Sequence, residues 1–177
     1  MLVKTYGSAV YGVNAITITV EVNVTQGQKF FMVGLPDSAV KESEQRIESA
    51  LKTTHHYFPR TKVIVNLAPA DIRKTGTAFD LPIALAILGA SEQLPNADRL
   101  ADYVIMGELG LDGTILPIKG ALPIAIQARK ENYKGLIVPL QNAREAGMVS
   151  NLNVYGVKHL SEVVQFFKDE QSLQPVI

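Results

Sequence analysis

Ile16, Ile18, Val20, Val22 and Val24 alternate with Thr17, Thr19, Glu21 and Asn23. A period of two sends one set to each face of a strand, so this run predicts a half-buried β-strand. Residues 2–10 read as a strand before it, turning at Tyr11–Asn14. After the turn Gln26-Gly27-Gln28, residues Lys29–Val33 read as a third strand. Together the three predict an antiparallel meander.

The period then changes. Asp37 or Ser38 can cap a helix running to about Thr53, with Val40, Ile47, Ala50 and Leu51 on one face. Lys62–Leu67 predicts a strand, followed by a polar loop and a helix from Asp80 that is apolar nearly all round and so belongs in the core. Pro82 is tolerated in its first turn because no N–H is needed there. Pro95–Asp102 reads as a loop. Val104–Leu109 and Ile115–Ile118 read as strands of a hairpin about Gly110-Leu111-Asp112-Gly113-Thr114. A helix at Gly120–Glu131, a buried strand at Leu136–Val138, a short helix at Asn142–Gly147 and an edge strand at Val154–Tyr155 follow. Ser161–Lys168 is a last helix, capped by Ser161, and Gln171–Ile177 reads as a linker. Strands grouped first and alternating with helices later predict an α+β fold, a two-layer α/β sandwich with an N-terminal meander and then βαβ units. Residues 1–170 are expected to form one domain.

Composition narrows the chemistry. The chain has 177 residues, 17 basic against 17 acidic, and no Cys. Zero net charge gives no global field toward nucleic acid or an anionic membrane. The absence of Cys removes disulfides, thiolate catalysis and Cys-based zinc sites. The N-terminus lacks the apolar core of a signal peptide, and the longest apolar run, Leu81–Ala90, is about half of a bilayer span. The expected location is cytoplasmic, with no membrane contact.

Within Asn66–Gly89 a strand, a Gly-containing loop and an apolar helix follow one another, as in many active sites. Lys74-Thr75-Gly76-Thr77 lacks the earlier glycine of a phosphate loop; Pro69 removes a donor and Asp71 repels phosphate. Thr75 or Thr77 with Lys74 or Lys119 is a candidate nucleophile–base set, weighed against the helix-capping role usual for loop threonines. His55, His56 and His159 have no metal-ligand spacing. Asp71 and Asp80 flank the loop and Glu108 and Asp112 flank the hairpin; for Asp80 a place at the helix start, and for Asp112 the turn, are the structural alternatives. Arg60, Lys62, Arg73 and Lys74 are the candidate DNA contacts, on the expectation that the strand from Lys62 brings them together. Gly76 and Asp80 are expected to shape the loop.

Three blocks carry a resemblance: VGLPDSAVKESEQRIESAL (Val33–Leu51), VNLAPADIRKTGTAFDLPIALAIL (Val65–Leu88) and MGELGLDGTILPIKGALPIAIQAR (Met106–Arg129). They resemble, in order and over about residues 2–168, the N-terminal domain of the ComM/YifB family, the magnesium chelatase-related AAA+ ATPases. The same layout is similar to the Lon proteolytic domain, of the ribosomal-protein domain-2-like type, and to the Lon-like domain of RadA. That likeness places Ala78 at the position of the protease serine and Leu122 at that of its lysine, so it implies the protease frame without its dyad. It implies no cofactor in these residues, with ATP and Mg²⁺ belonging to an ATPase module beyond them. It also implies a homo-hexameric DNA motor for branch migration in natural transformation, and a non-catalytic role here in ring assembly or DNA contact. A residual serine/threonine hydrolase and a protein-interaction module working through the meander's exposed edge are the alternatives.

Overall fold

The alternating run forms the longest strand of the fold. In the computed structural model, which describes residues Met1–Ile177, β1 (Leu2–Tyr11) and β2 (Asn14–Thr25) make a ten-pair antiparallel hairpin from Leu2↔Asn23 to Tyr11↔Asn14. Ile18, Val20 and Val22 are fully buried, as the period requires. The third strand departs from the expected meander. β3 (Phe30–Val33) does not pair with β2; it lies parallel to β4 (Lys62–Ala68), and β4 takes the place beside β2. Period-two patterning identifies a strand and its buried face, but a four-residue strand carries no mark of its neighbour.

The seven-stranded sheet has the order β3-β4-β2-β1-β5-β8-β9, with β5 at Tyr103–Ile105, β8 at Gly135–Pro139 and β9 at Asn153–Val157. β2 alone runs against the other six. The expected strand Val104–Leu109 splits: β5 stays in the sheet, while β6 (Glu108–Leu109) pairs with β7 (Ile115–Leu116) in a separate hairpin. The expected first helix also divides, at Glu42, into α1 (Ser38–Lys41), capped by Asp37, and α2 (Ser43–Thr53). Ala97–Asp102 forms a 3-10 helix where a loop was expected.

Every residue of α3 (Asp80–Ala90) is buried. It packs on the sheet face that carries Val3, Thr5 and Gly7, where the Thr5 hydroxyl donates to Pro82 O at 2.9 Å. α2 lies on the same face, its Glu44 and Glu48 lining a groove with Phe30 and Val63. α6 (Leu160–Lys168) covers this face farther along: Phe166 and Phe167 ring Tyr103 at centroid distances of 5.5 Å. Its cap is His159 rather than Ser161; the His159 ring accepts from Ser161 N–H at 3.1 Å. The opposite face is covered over the second half and, by α4 (Ala121–Lys130), over part of β1 and β2. There α4 begins against Val10, and Tyr133 just after it meets the Tyr6 ring at a tilt, centroids 5.4 Å apart. α5 (Leu140–Ala146) packs on Gly156. Over β3-β4-β2 the structure is the expected two-layer α+β sandwich. Its open face carries a polar ladder, Lys4–Glu21–Asn66, and the half-exposed Phe31 and Val33.

The helix placement fixes one further relation. β3–α2–β4, β5–α4–β8 and β8–α5–β9 step the same way across strands of the same direction, yet α2 lies on one face and α4 and α5 on the other. The three crossovers therefore cannot share one hand, although nearly all such connections are right-handed. The C-terminal residues expected as a linker fold back. Leu173 packs on the core and Val176 N–H donates to Val154 O at 2.7 Å.

Candidate functional site

The loop between β4 and α3 is stitched to the turn after β3. Lys74 N–H donates to Leu35 O and Asp37 N–H to Lys74 O, both at 2.9 Å. Gly34 makes the approach possible. Its φ is +106°, and a Cβ there would sit 2.1 Å from Leu67 O, so no other residue fits without moving β4. The Lys74 side chain then turns inward. Its ammonium donates to Gly34 O at 2.7 Å and to Pro69 O, and the residue is fully buried. Burial lowers its pKa below the usual lysine value, with Asp71 pulling the other way. The expectation of Lys74 as a DNA contact on the rim is corrected: its charge is spent holding two carbonyls.

Gly76 takes a left-handed conformation in the loop, at φ +86°, with its N–H donating to Asp37 Oδ2 at 3.2 Å. Asp80 has a larger role than the helix-start dipole. It is 1% exposed and accepts two bonds from Arg46, Nε at 2.6 Å and Nη2 at 2.9 Å, and one from Leu109 N–H at 3.0 Å. One carboxylate thus ties α2, α3 and β6 together. The bond to Asp80 raises the Arg46 pKa. Burial pushes the Asp80 carboxyl up, and the Arg46 and Leu109 donors pull against that.

Above this base a cleft of about 520 Å³ opens beside β1, within the roughly 300–1,000 Å³ of ordinary ligand sites. One wall is Ser8–Tyr11. Another is Pro117–Lys119, held by Asn142, whose side-chain amide exchanges two 2.9 Å bonds with the Ile118 backbone. Arg73 and Thr75–Phe79 form the lip, and Met106 and Glu108 lie between. Tyr11 OH donates to Arg73 O at 3.0 Å and fastens the lip to the wall. The Thr77 hydroxyl donates to the Glu108 carboxylate.

The predicted residues therefore separate. Ala78 lines the cleft. Leu122 lies in the first turn of α4, partly buried against the core and outside the cleft lining, its N–H donating to Glu145 at 3.2 Å. Arg73 and Lys119 are exposed in the cleft, and neither side chain has an ion-pair partner. Arg60 and Lys62 do not join them. They sit at the start of β4 and Arg73 follows its end, some 20 Å apart at the rise of a strand. Counting that rise along the predicted strand already separates them. Lys62 lies over the Phe31 ring at 5.6 Å, and Arg60 shares its groove with Glu44 and Glu48. Asp71 is exposed and faces away from the role of paired carboxylate with buried Asp80. Asp112 accepts from Thr114 N–H at 2.9 Å, as a turn residue does. Arg46 went unmarked in the sequence because its partner lies 34 residues away, the one available signal being a lone Arg among the acids of α2; Glu108 was marked only with Asp112 about the hairpin, and its partner Thr77 lies 31 residues away.

The profile described as subunit ChlI of Mg-chelatase matches residues 20–142. Competence protein ComM of Haemophilus influenzae is 42% identical over 169 residues, 95% of this chain and 33% of that protein. YifB of Escherichia coli is 41% identical over 167 residues, 94% of this chain and 33% of that protein. The DNA repair protein RadA of Escherichia coli is 30% identical over 135 residues, 74% of this chain and 28% of RadA. The chain spans about a third of the length of these curated relatives.

Proposed function

This chain belongs to the family described as subunit ChlI of Mg-chelatase, as the N-terminal domain of its ComM/YifB members, and on that premise we propose that it is a non-catalytic platform of a AAA+ machine acting on DNA. In this reading the fold is of the Lon proteolytic type with its chemistry removed. The observation that carries it is the state of the cleft's reactive groups. Ala78 offers no nucleophile, the Thr77 hydroxyl is held by hydrogen-bonding to the Glu108 carboxylate, and Lys74 is bound to two carbonyls. A lysine-activated hydroxyl needs a free ammonium nitrogen within hydrogen-bond reach; Lys74 is bound to two carbonyls, and Lys119, though in the cleft, bonds to neither Thr75 nor Thr77.

Ring assembly is favoured over DNA contact. A phosphate track needs several cations on one surface, and here Arg60 and Lys62 are remote from Arg73 while Lys74 is buried. The likeness to ComM and RadA supports a setting in competence and DNA repair. ATP, Mg²⁺ and the hexamer belong to the longer protein, in the cytoplasm.

Two measurements test the reading. A serine-directed fluorophosphonate probe and a casein turnover assay are expected to give no labelling and no product; labelling lost in Thr77→Ala would make the domain a hydrolase. In the longer protein with its ATPase module, deleting residues 1–170 is expected to lower hexamer content by analytical ultracentrifugation. An unchanged hexamer, together with salt-dependent binding of forked DNA lost in Arg73→Ala, would move the role to DNA.

A further inference from the structure

The wall Ser8–Tyr11 is a strand edge without a neighbour. Tyr11 and Asn14 flank the two-residue turn Gly12-Val13 and so form a hydrogen-bonded pair. Bonded and non-bonded pairs alternate along an antiparallel hairpin. Ala9 therefore bonds to Ile16, while the N–H and C=O groups of Ser8 and Val10 point away from β2. Ser8 confirms the direction, since its N–H donates to Met106 Sδ at 3.3 Å on that side. β5 pairs with β1 at Tyr6 and goes no farther. The Ser8 carbonyl and both Val10 groups are thus presented to the cleft. A half-buried row of unpaired backbone groups is a template for another strand.

The lining says which strand. Ala78, Phe79, Met106 and Ile118 give apolar ground for a small side chain. Two unpaired cations, Arg73 and Lys119, stand against one carboxylate, Glu108, and that carboxylate already accepts from Thr77. Alternate residues of an extended segment point to opposite sides, so a chain laid along β1 can place apolar side chains inward and carboxylates between the two cations.

We infer that the cleft is a strand-addition site for an extended acidic peptide segment of a partner protein, paired with the β1 edge at Val10. The inference rests on the non-catalytic reading only in treating the peptide as held and not cut.

The test uses the purified 177-residue chain and fluorescence anisotropy with a labelled six-residue peptide of alternating valine and glutamate. Three competitors accompany it: the valine–lysine peptide, the valine–glutamate peptide with N-methylated amides on alternate residues, and a single-stranded oligonucleotide of equal charge. Losing two or three edge hydrogen bonds or reversing the charge is expected to weaken binding about tenfold or more. Val10→Pro, which removes the edge donor, and Lys119→Glu are expected to weaken the acidic peptide likewise, with folding checked by circular dichroism. Because the N-methylated peptide is tested on the unaltered protein, the result does not hinge on a variant folding. Equal affinity for the plain and N-methylated peptides, or oligonucleotide competition as strong as the peptide's, overturns strand addition. Mass spectrometry of the recovered peptide separates the two readings: cleavage would end the non-catalytic reading while leaving the site, and absence of binding would end the site alone.

Discussion

The two halves of the sheet are built on different terms. In β5-β8-β9 the strands run parallel and helices cover both faces, and nearly every strand residue is buried. In β3-β4-β2 one face rests on α2 and α3 and the other is open except where α4 reaches β2, with Lys4, Glu21 and Asn66 bonded across the open part. Parallel strands are stable mainly when both faces are shielded, whereas an antiparallel pair such as β2–β4 tolerates water on one side; the parallel β3–β4 pair in this half is only four residues long. β1 belongs to both halves, antiparallel to β2 and parallel to β5. The cleft lies on this seam because the second pairing stops at Tyr6 while the first runs on to Tyr11. The site is thus a product of two architectures that part company along one strand.

This comparison predicts a gradient of sensitivities. Phe166→Ala empties the centre of the Tyr103–Tyr155–Phe167 cluster and is expected to cost about 3–5 kcal/mol in urea denaturation; a loss below that of open-half substitutions would erase the distinction. Arg46→Leu leaves the Asp80 carboxylate buried without its partner, with an expected loss of about 3 kcal/mol. Lys74→Met abandons the carbonyls of Gly34 and Pro69 and is expected to cost about 2 kcal/mol, and an unchanged midpoint would mean that water replaces the ammonium. At the open face, Phe31→Ser is expected to stay within about 0.5 kcal/mol; a large loss there would show that the open face is covered in solution.

Alkaline titration sharpens the same contrast without substitution. Burial raises the phenols of Tyr103 and Tyr133 from 10.0 to about 12. Between those values the folded chain keeps protons that the unfolded chain loses. This contribution to stability is therefore complete below pH 10 and is lost as pH climbs through about 12. Absorbance at the phenolate band should show Tyr103 and Tyr133 titrating late, with Tyr155 also raised by burial, and titration of all six tyrosines together near pH 10 would contradict the burial.

What the sequence made legible follows from the range of the physics. The β2 alternation and the all-apolar α3 are local patterns, and both stand as expected. The likeness of the three blocks also located Ala78 in the cleft. The neighbour of β3 was illegible because Phe30–Val33 fits any edge equally well. Lys74 was illegible for a different reason. A lysine in a polar loop has no periodicity to betray its direction, and its burial depends on Gly34 and Pro69 converging on it. Asp80 looked like a helix-start residue because that role needs only its own helix, whereas its actual partner sits on another one.

The central position of the β1–β2 hairpin has a consequence for the order of the strands. It precedes the other strands along the chain and stands in the middle of the finished sheet. β4 pairs with β2, β5 with β1, β8 with β5 and β9 with β8, so each follows along the chain the strand whose edge it needs. Only β3 precedes its partner, the next strand along the chain. Chain order and pairing order coincide at every step but one.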